Sequence, residues 1–231
     1  MELSVDSGAL YFRGRPVDAT DVSVALSEFV SASRQAVIDK VLSERTLNIA
    51  TVVEGSINTG NVSAVMRTAE AFGFLPFHII KTGGEFKNSS RSSQGSNKWL
   101  DIHEWETAVP CLDALHQQNY RIVATVPAKD ATPIESLDYA VKTAFVFGNE
   151  AEGISKGVLG IADEVCRFPM AGFVESFNIS VAAALCLYQA FQSRGGLGSG
   201  DLTREQMNTW RAMYYYRSVR RADDLLARMM A

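Results

Sequence analysis

Three polar side chains stand at alternate positions in the C-terminal half of the chain, at Ser176, Asn178 and Ser180. They follow a turn with the sequence Pro-Met-Ala-Gly and precede a small apolar run with three consecutive alanines. Because the side-chain oxygens of Ser and Asn accept the unpaired amide hydrogens of a first helical turn, we expect a helix to begin between Ser176 and Asn178. Polar caps that open a small-residue helix after such a turn predict a ligand held by backbone and amide groups.

Two further polar groups precede this one in the chain. A loop at residues 54–61 contains two glycines and ends at Asn61, and a predicted helix follows it at residues 62–72. Arg67 lies six residues after Asn61, and its side chain can reach back because helical side chains tilt toward the helix N-terminus. The other group, residues 148–153, contains Glu150 and directly follows a run rich in apolar residues.

Strands and helices alternate along the middle of the chain. Apolar runs rich in β-branched residues predict strands at 47–53, 77–80, 120–126, 143–147 and 164–168, with helices at 62–72, 105–118 and 158–161 between them. This alternation predicts an α/β fold with a mainly parallel sheet flanked by helices. Such sheets bind ligands at the carboxyl ends of their strands, where Thr125, Gly148 and Phe168 fall.

The composition argues against several classes of protein. Of 231 residues, 47% are hydrophobic and 21% are charged, which is typical of a globular protein and not of a disordered one. The formal net charge of −4 lacks the global basic signature of a nucleic-acid binder. Basic residues nevertheless outnumber acidic ones in two segments, 81–98 and 201–231.

The cysteines and the apolar runs of the chain argue against a metal site and against a membrane span. Cys111, Cys166 and Cys186 are odd in number and lack metal-binding spacing, so we expect buried free thiols and no metal site. No apolar run approaches the ~20 residues of a membrane span. We therefore expect a cytoplasmic protein, or an organellar one from which a leader has been removed.

The two ends of the chain are predicted as extensions of one central domain at residues 47–194. Residues 1–46 form an acidic, mainly helical N-terminal extension, with helical periodicity at 20–44. The glycine-rich segment 195–200 follows a helix and lacks the Lys-Ser/Thr of a phosphate loop, so it is interpreted as a linker. A helix is predicted at 203–230, where Tyr214, Tyr215 and Tyr216 stand beside arginines. These side chains either contact RNA bases and phosphates or belong to a docked helix with a solvated basic face.

Three motifs in order resemble one family. They are Asn-Val-Ser-Ala-Val-Met-Arg at 61–67, Phe-Gly-Asn-Glu-Ala-Glu-Gly at 147–153, and Pro-Met-Ala-Gly-Phe-Val-Glu-Ser-Phe-Asn-Ile-Ser-Val-Ala-Ala-Ala at 169–184. This order is similar to that of the SpoU/TrmH branch of the SPOUT methyltransferases, which methylate ribose 2′-hydroxyls of RNA with S-adenosyl-L-methionine. The resemblance covers about residues 30–195. It includes the Thr-Gly-Gly turn at 82–84 and the pair Lys98 and Trp99.

The resemblance implies more than a reaction. It implies a deep C-terminal trefoil knot in the α/β sheet, a homodimer, and a tRNA substrate methylated at a guanosine of the D-loop. It also implies that the cofactor lies among the loops after strands three, four and five, without a metal. The positions that match the family's adenosyl-binding places are Thr125, Gly148, Phe168, Met170 and Phe177.

The resemblance also implies catalytic roles. Arg67 is either a general base or, as we favour because a guanidinium with a pKa above ~12 is seldom deprotonated, a clamp for the target's phosphate and a stabiliser of the developing alkoxide. Asn61 positions Arg67 or the ribose, and Glu150 faces the positive sulfonium region. Ser176 and Asn178 fix the catalytic loop, although both can serve simply as helix caps.

Two alternatives remain open within this fold. Ribosomal RNA is the alternative substrate, and a catalytically silent knotted RNA-binding protein is the alternative class. Retention of Asn61, Arg67, Glu150, Ser176 and Asn178 argues against the silent protein. A nucleotide-dependent oxidoreductase is disfavoured because no glycine fingerprint follows the first predicted strand.

Overall fold

A computed structural model describes residues 2–6, 8–55, 59–81, 95–149 and 152–229. The chain divides into two compact units, one formed by residues 46–196 and the other by residues 1–45 together with 197–231. The described strands are β1 Leu3–Asp6, β2 Ala9–Phe12, β3 Arg15–Val17, β4 Ile49–Glu54, β5 Pro76–Ile80, β6 Asp101–Trp105, β7 Arg121–Thr125, β8 Thr132–Pro133, β9 Thr143–Phe147 and β10 Glu164–Arg167. The described α-helices are α1 Ala19–Ser27, α2 Ala32–Leu42, α3 Thr59–Ala71, α4 Ala108–Gln117, α5 Lys156–Leu159, α6 Ile179–Ser193, α7 Arg204–Ser218 and α8 Ala222–Met229.

Residues 46–196 form a seven-stranded sheet in the order β6-β5-β4-β9-β7-β10-β8. Every strand pair in this sheet is parallel. The register pairs Val53 of β4 with Phe147 of β9 and Thr125 of β7 with Cys166 of β10. The carboxyl ends of these strands therefore meet along one edge of the sheet.

Helices cover both faces of this sheet. One apolar cluster joins α3 and α6 to one face, with Met66 and Ala183 fully buried, and Phe72 packs against its edge. A second cluster joins α4 and α5 to the other face through Leu112 and Val158. Burial on both faces explains why β4, β5 and β9 read as continuous apolar runs instead of alternating ones. The α/β fold with a parallel sheet is confirmed.

The five predicted strands appear as β4, β5, β7, β9 and β10, but β6 and β8 were not predicted. Strand β6 carries Asp, His and Glu side chains because it is an edge strand with no fully buried residue. Strand β8 is only two residues long. Neither has the apolar pattern by which buried strands are recognised.

The other unit contains a feature that the sequence did not predict. Strands β1, β2 and β3 form an antiparallel sheet in chain order. Its second connection is a tight turn at Arg13 and Gly14, both with positive φ. The helices of the unit are α1, α2, α7 and α8, and α7 packs against both α1 and α2.

The predicted C-terminal helix consists of two helices in the structure, α7 and α8. The break lies at residues 219–221, where Arg221 adopts a φ of 61°. Tyr214, Tyr215 and Tyr216 are buried, and the Tyr216 hydroxyl accepts a hydrogen bond from the Glu2 N–H at 2.9 Å. The expectation that these aromatic rings stack on RNA bases is therefore wrong, and the docked-helix interpretation holds for them.

Within the described residues, no helix combines the length and the apolar character that a membrane crossing requires. The same residues contain no cluster of three or more His, Cys, Asp or Glu side chains arranged to hold a metal ion.

Candidate functional site

A cavity of about 540 Å³ opens at the carboxyl edge of the sheet, beyond β7, β9 and β10. Its walls are the ends of these strands, the loop after β9, the segment after β10 and the first turn of α6. This volume lies within the range of about 300–1,000 Å³ that is typical of small-molecule sites. Seven of the residues predicted from the sequence line it: Thr125, Gly148, Phe168, Met170, Ser176, Phe177 and Asn178.

The loop after β9 is closed by its own backbone. Asn149 and Gly153 exchange two N–H···O=C hydrogen bonds, of 3.1 and 3.0 Å, and the Asn149 side chain accepts the Glu152 N–H at 2.6 Å. A Cβ at Gly148 would lie 2.2 Å from the carbonyl carbon and oxygen of Gly153, so only glycine fits there. Gly153 itself has a φ of +70°, which favours glycine as well.

Two aromatic rings form an apolar wall of the cavity. Phe168 and Phe177 meet edge to face, with ring centroids 5.9 Å apart and an interplanar angle of 80°. Phe168 also packs against the main core, whereas Phe177 is 38% exposed. The pair can cover a flat apolar or aromatic group of a ligand.

The first turn of α6 supplies polar groups to the cavity. Asn178 is the N-cap of this helix, and its Oδ1 accepts hydrogen bonds from the N–H and hydroxyl of Ser180 at 2.9 and 2.6 Å. Because capping uses the oxygen, the amide Nδ2 hydrogens are the groups of Asn178 that can serve a ligand. The predicted capping role is present, and the same side chain lines the cavity.

Thr125 lines the cavity at the end of β7. Its hydroxyl donates to the Val146 carbonyl at 3.0 Å and is thereby engaged within the sheet. Cys166 pairs with Thr125 in the register, and burial raises the pKa of this thiol to about 12, so it is protonated at neutral pH. Cys166 is therefore a packing residue and not a nucleophile.

Acidic residues provide the ionisable groups of this cavity. Among the described residues that line it, these groups are the carboxylates of Glu152 and Glu175. A cavity with negative side chains and apolar walls suits a ligand that carries a positive charge on an apolar frame. Sequence reasoning did not select either residue, because an exposed Glu in a loop carries no distinguishing signal.

Asn61 and Arg67 lie on α3, outside the lining of the cavity. Asn61 is half-buried and Arg67 is exposed, on the opposite side of the helix from the buried Val62, Met66 and Ala69. Among the described residues, no carboxylate forms an ion pair with Arg67. Glu150 and the Thr-Gly-Gly turn at 82–84 lie outside the described residues.

One buried carboxylate at this edge of the sheet was not predicted from the sequence. Glu54 ends β4, is 4% exposed, and accepts the Ser155 N–H at 2.9 Å. A Glu that follows an apolar run looks like an ordinary strand end, so nothing near it in the chain singles it out.

Comparison with known proteins shows which family this chain belongs to. The profile described as "SpoU rRNA Methylase family" matches residues 48–188. A Borreliella burgdorferi protein named tRNA (guanosine(18)-2′-O)-methyltransferase is 33% identical over 194 residues, covering 84% of this chain and 89% of the relative. The chain belongs to the SpoU family.

Other SpoU-family proteins extend the match. An Escherichia coli protein with the same name is 32% identical over 169 residues, covering 73% of this chain and 74% of the relative. The crystal structure of the A. aeolicus TrmH/SpoU tRNA modifying enzyme superposes with a TM-score of 0.76 at 30% identity, over 82% of this chain and 98% of that one. The three SpoU motifs of this chain lie within the matched residues.

Proposed function

We propose that this protein methylates the ribose 2′-hydroxyl of guanosine 18 in tRNA, with S-adenosyl-L-methionine as methyl donor. The observation that carries the proposal is the cavity itself, which gathers seven residues predicted from the sequence, five of them in the SpoU motifs, at the carboxyl edge of the sheet. Relatives of 32–33% identity named tRNA (guanosine(18)-2′-O)-methyltransferase support the substrate.

The residues of the cavity fit the proposed cofactor. Phe168, Met170 and Phe177 provide apolar walls for the adenosine, and the backbone after Thr125 and around Gly148 provides donors and acceptors for a neutral ring. Glu152 and Glu175 provide negative charge for a cationic group. S-adenosylmethionine, when bound, supplies an electrophilic methyl group on a positively charged sulfur. Because the sulfonium itself supplies the electrophile, we propose a reaction without a metal.

Arg67 is proposed as the residue that handles the RNA backbone. Its exposure on α3 suits contact with a phosphate that arrives from solution, and a bidentate guanidinium matches phosphate geometry. Its positive charge also stabilises the 2′-oxygen as the proton leaves, with the phosphate accepting that proton. The alternative of Arg67 as the base itself is distinguished by the lysine variant described below.

Asn61, Ser176, Asn178 and Glu150 are proposed to orient the reacting groups. Asn61 stands one and two-thirds turns before Arg67 on the same helix and positions the ribose or the guanidinium. Ser176 and Asn178 border the cavity at the positive end of the α6 dipole, which favours negative charge on an approaching oxygen. Glu150 is assigned by its motif position, to orient donors near the sulfonium.

A second copy of the chain is proposed to cover one face of α6. Val181, Leu185 and Tyr188 are exposed at positions i, i+4 and i+7 of this helix, while its other side is buried in the core. Phe173 and Val174, in the segment just before, are also exposed. Contiguous apolar exposure of this kind marks an interaction surface. Leu185→Glu should convert a dimer to a monomer in light scattering.

Further properties are proposed from membership of the family. They are the deep trefoil knot in the C-terminal part of the sheet domain, a cytoplasmic location, and the division into an N-terminal extension, a methyltransferase domain at 47–194 and a C-terminal segment. Family membership and the likeness to the A. aeolicus structure support them.

The proposal is tested by mapping 2′-O-methyl groups in RNA from cells with and without the protein. Loss of the methyl group at guanosine 18 of tRNA alone is the expected result. Loss at a ribosomal position instead would identify rRNA as the substrate. Binding of RNA without any loss of methylation would favour the silent knotted protein.

A further inference from the structure

A buried carboxylate, Glu54, joins two parts of the candidate site. Its side chain follows Ala50 and Val52 in the strand alternation and so points to the sheet face covered by α4 and α5. Burial, followed by the charge of Glu54, raises the pKa of the Cys111 thiol of α4 to about 12. A buried carboxylate is costly unless it is hydrogen-bonded, and the bond from the Ser155 N–H meets this need.

The Ser155 bond fixes the far end of the loop that walls the cavity. The near end of this loop is anchored because Gly148 directly follows β9. Gly153 and Ile154 line the cavity, and the next residue, Ser155, is the one that Glu54 accepts from. Ser155 is also the N-cap of α5, with its hydroxyl accepting the Val158 N–H. The loop therefore leaves β9 and returns to the end of the adjacent strand β4.

In the chain, Glu54 is followed by the segment that connects β4 to α3, the helix that carries Asn61 and Arg67. Gly55 follows Glu54 with a φ of +64° and donates its N–H to the Ile80 carbonyl at 2.9 Å. Helix α3, with Asn61 and Arg67, begins at Thr59. A single residue thus accepts a hydrogen bond from Ser155, next to the cavity-lining Ile154, and directly precedes the connection to α3.

We propose that Glu54 is a positioning residue: through Ser155, its carboxylate holds Gly153 and Ile154, which line the cavity, in the arrangement that binds S-adenosylmethionine, at the same strand end that precedes α3. This rests on the proposed function for the identity of the ligand. Glu54 itself does not line the cavity, so its effect on binding passes through Ser155 and the loop.

The chain allows the two partners of this bond to be removed separately. Glu54→Ala removes the acceptor, and Glu54→Gln keeps an oxygen that can accept from the Ser155 N–H. Ser155→Pro removes the donor and suits the observed φ of −67°, while Ser155→Ala keeps the N–H and loses only the cap of α5. Ser155→Ala is therefore the matched control.

The affinity of each variant for S-adenosylmethionine is measured by titration calorimetry. Only variants whose thermal melts show a folded protein are compared. Glu54→Ala and Ser155→Pro should each weaken binding about tenfold or more, as loss of a buried hydrogen bond implies. Glu54→Gln and Ser155→Ala should remain close to wild type. The double variant Glu54→Ala, Ser155→Pro should be no worse than either single variant, because both remove one interaction.

Hydrogen exchange without cofactor gives an independent reading. Amides at 152–155 should exchange faster in Glu54→Ala, while those of β9 should stay protected. Wild-type affinity in Glu54→Ala, additive losses in the double variant, or an equal loss in Ser155→Ala would overturn the proposal. If the wild type binds no S-adenosylmethionine, the proposed function fails, but unchanged exchange at 152–155 in Glu54→Ala would still refute the role of Glu54 in holding the loop.

Discussion

Gly148 and Gly153 pack backbone against backbone, so closely that a Cβ on Gly148 would lie 2.2 Å from the carbonyl of Gly153. This contact closes the loop after β9 into the turn that borders the cavity. Gly148 was selected from the sequence by its place at a strand end, and the structure shows that glycine is a steric requirement there.

Gly148→Ala should open this loop and abolish measurable binding of S-adenosylmethionine, because the atoms that clash belong to backbone and cannot rotate away. Gly172→Ala is the matched control, since a Cβ at Gly172 would meet open space within the described part of the chain. Calorimetry on both variants checks the expectation. Equal affinities for the two variants would show that the closed loop does not matter for binding.

Arg67→Ala should leave cofactor affinity nearly intact, because the side chain lies outside the cavity. The single-turnover rate of RNA methylation should fall by roughly 10²–10³, as for loss of one donor that stabilises charge in the transition state. Rapid-quench kinetics with labelled cofactor measure this rate. Full activity of the variant would remove Arg67 from the mechanism.

Arg67→Lys separates the two roles considered for this residue. Lysine keeps the charge but loses the bidentate fork, so a phosphate clamp should recover part of the rate with little change in the pH profile. A true base of lower intrinsic pKa should move the alkaline limb of the profile to lower pH. The pH dependence of the single-turnover rate is the measurement.

The arginines at the end of α7 should contribute to RNA affinity in spite of the burial of the neighbouring tyrosines. Arg220 and Arg221 are exposed, whereas Arg217 lies over the Trp210 ring at 5.9 Å. Replacing Arg220 and Arg221 by Ala should weaken tRNA binding and make its salt dependence shallower, as lost phosphate contacts require. Arg217→Ala should instead lower thermal stability. An unchanged salt slope in the double variant would assign these arginines to the solvated surface alone.

His78 should make the protein sensitive to mild acid. Burial, followed by the charge of the stacked His103, lowers the pKa of His78 to about 3, although Asp101 opposes the shift. Because an unfolded histidine titrates near ~6.5, the unfolded state binds an extra proton as the pH falls below that value. The contribution of His78 to the free energy of unfolding is therefore fully present above pH ~6.5. It is lost as the pH falls toward ~3, by up to about 1.4 kcal/mol per pH unit.

Urea unfolding of the wild type and of His78→Gln between about pH 6.5 and about pH 4.5 tests this linkage. The variant should show a shallower decline, because it lacks the group that takes up the proton. His116→Gln is the matched control, since His116 is part of an exposed pair with Asp163. Identical slopes for wild type and His78→Gln would contradict the expectation.

The sheet could be predicted because its inner strands are buried on both faces. Strand β9 was predicted with the observed limits, since the residues that flank it are polar or glycine. The N-cap at Asn178 was also predicted, because capping is a local interaction between a side chain and the next turn. Edge strand β6 was missed because none of its residues is fully buried, and the strands of the N-terminal sheet were missed because each is only three or four residues long.

Interactions between distant residues set the limit of what the sequence could show. The burial of Tyr216 depends on contact with Glu2, 214 positions away. The role of Glu54 depends on Ser155, 101 positions away, and nothing near either residue announces the contact. Seven cavity residues could be selected from predicted strand ends and the family resemblance, whereas the position of Glu152 and Glu175 beside the cavity required the folded chain.

Methyl transfer to the 2′-oxygen of guanosine 18 can be tested with a pair of tRNA transcripts. One transcript carries guanosine at position 18 and the other carries 2′-deoxyguanosine there, so they differ in the proposed acceptor alone. Purified protein with labelled S-adenosylmethionine should transfer one methyl group per molecule to the first transcript and none to the second, as counted by mass spectrometry of nuclease fragments. Equal labelling of both transcripts, or none of either, would show that the 2′-oxygen of guanosine 18 is not the methyl acceptor.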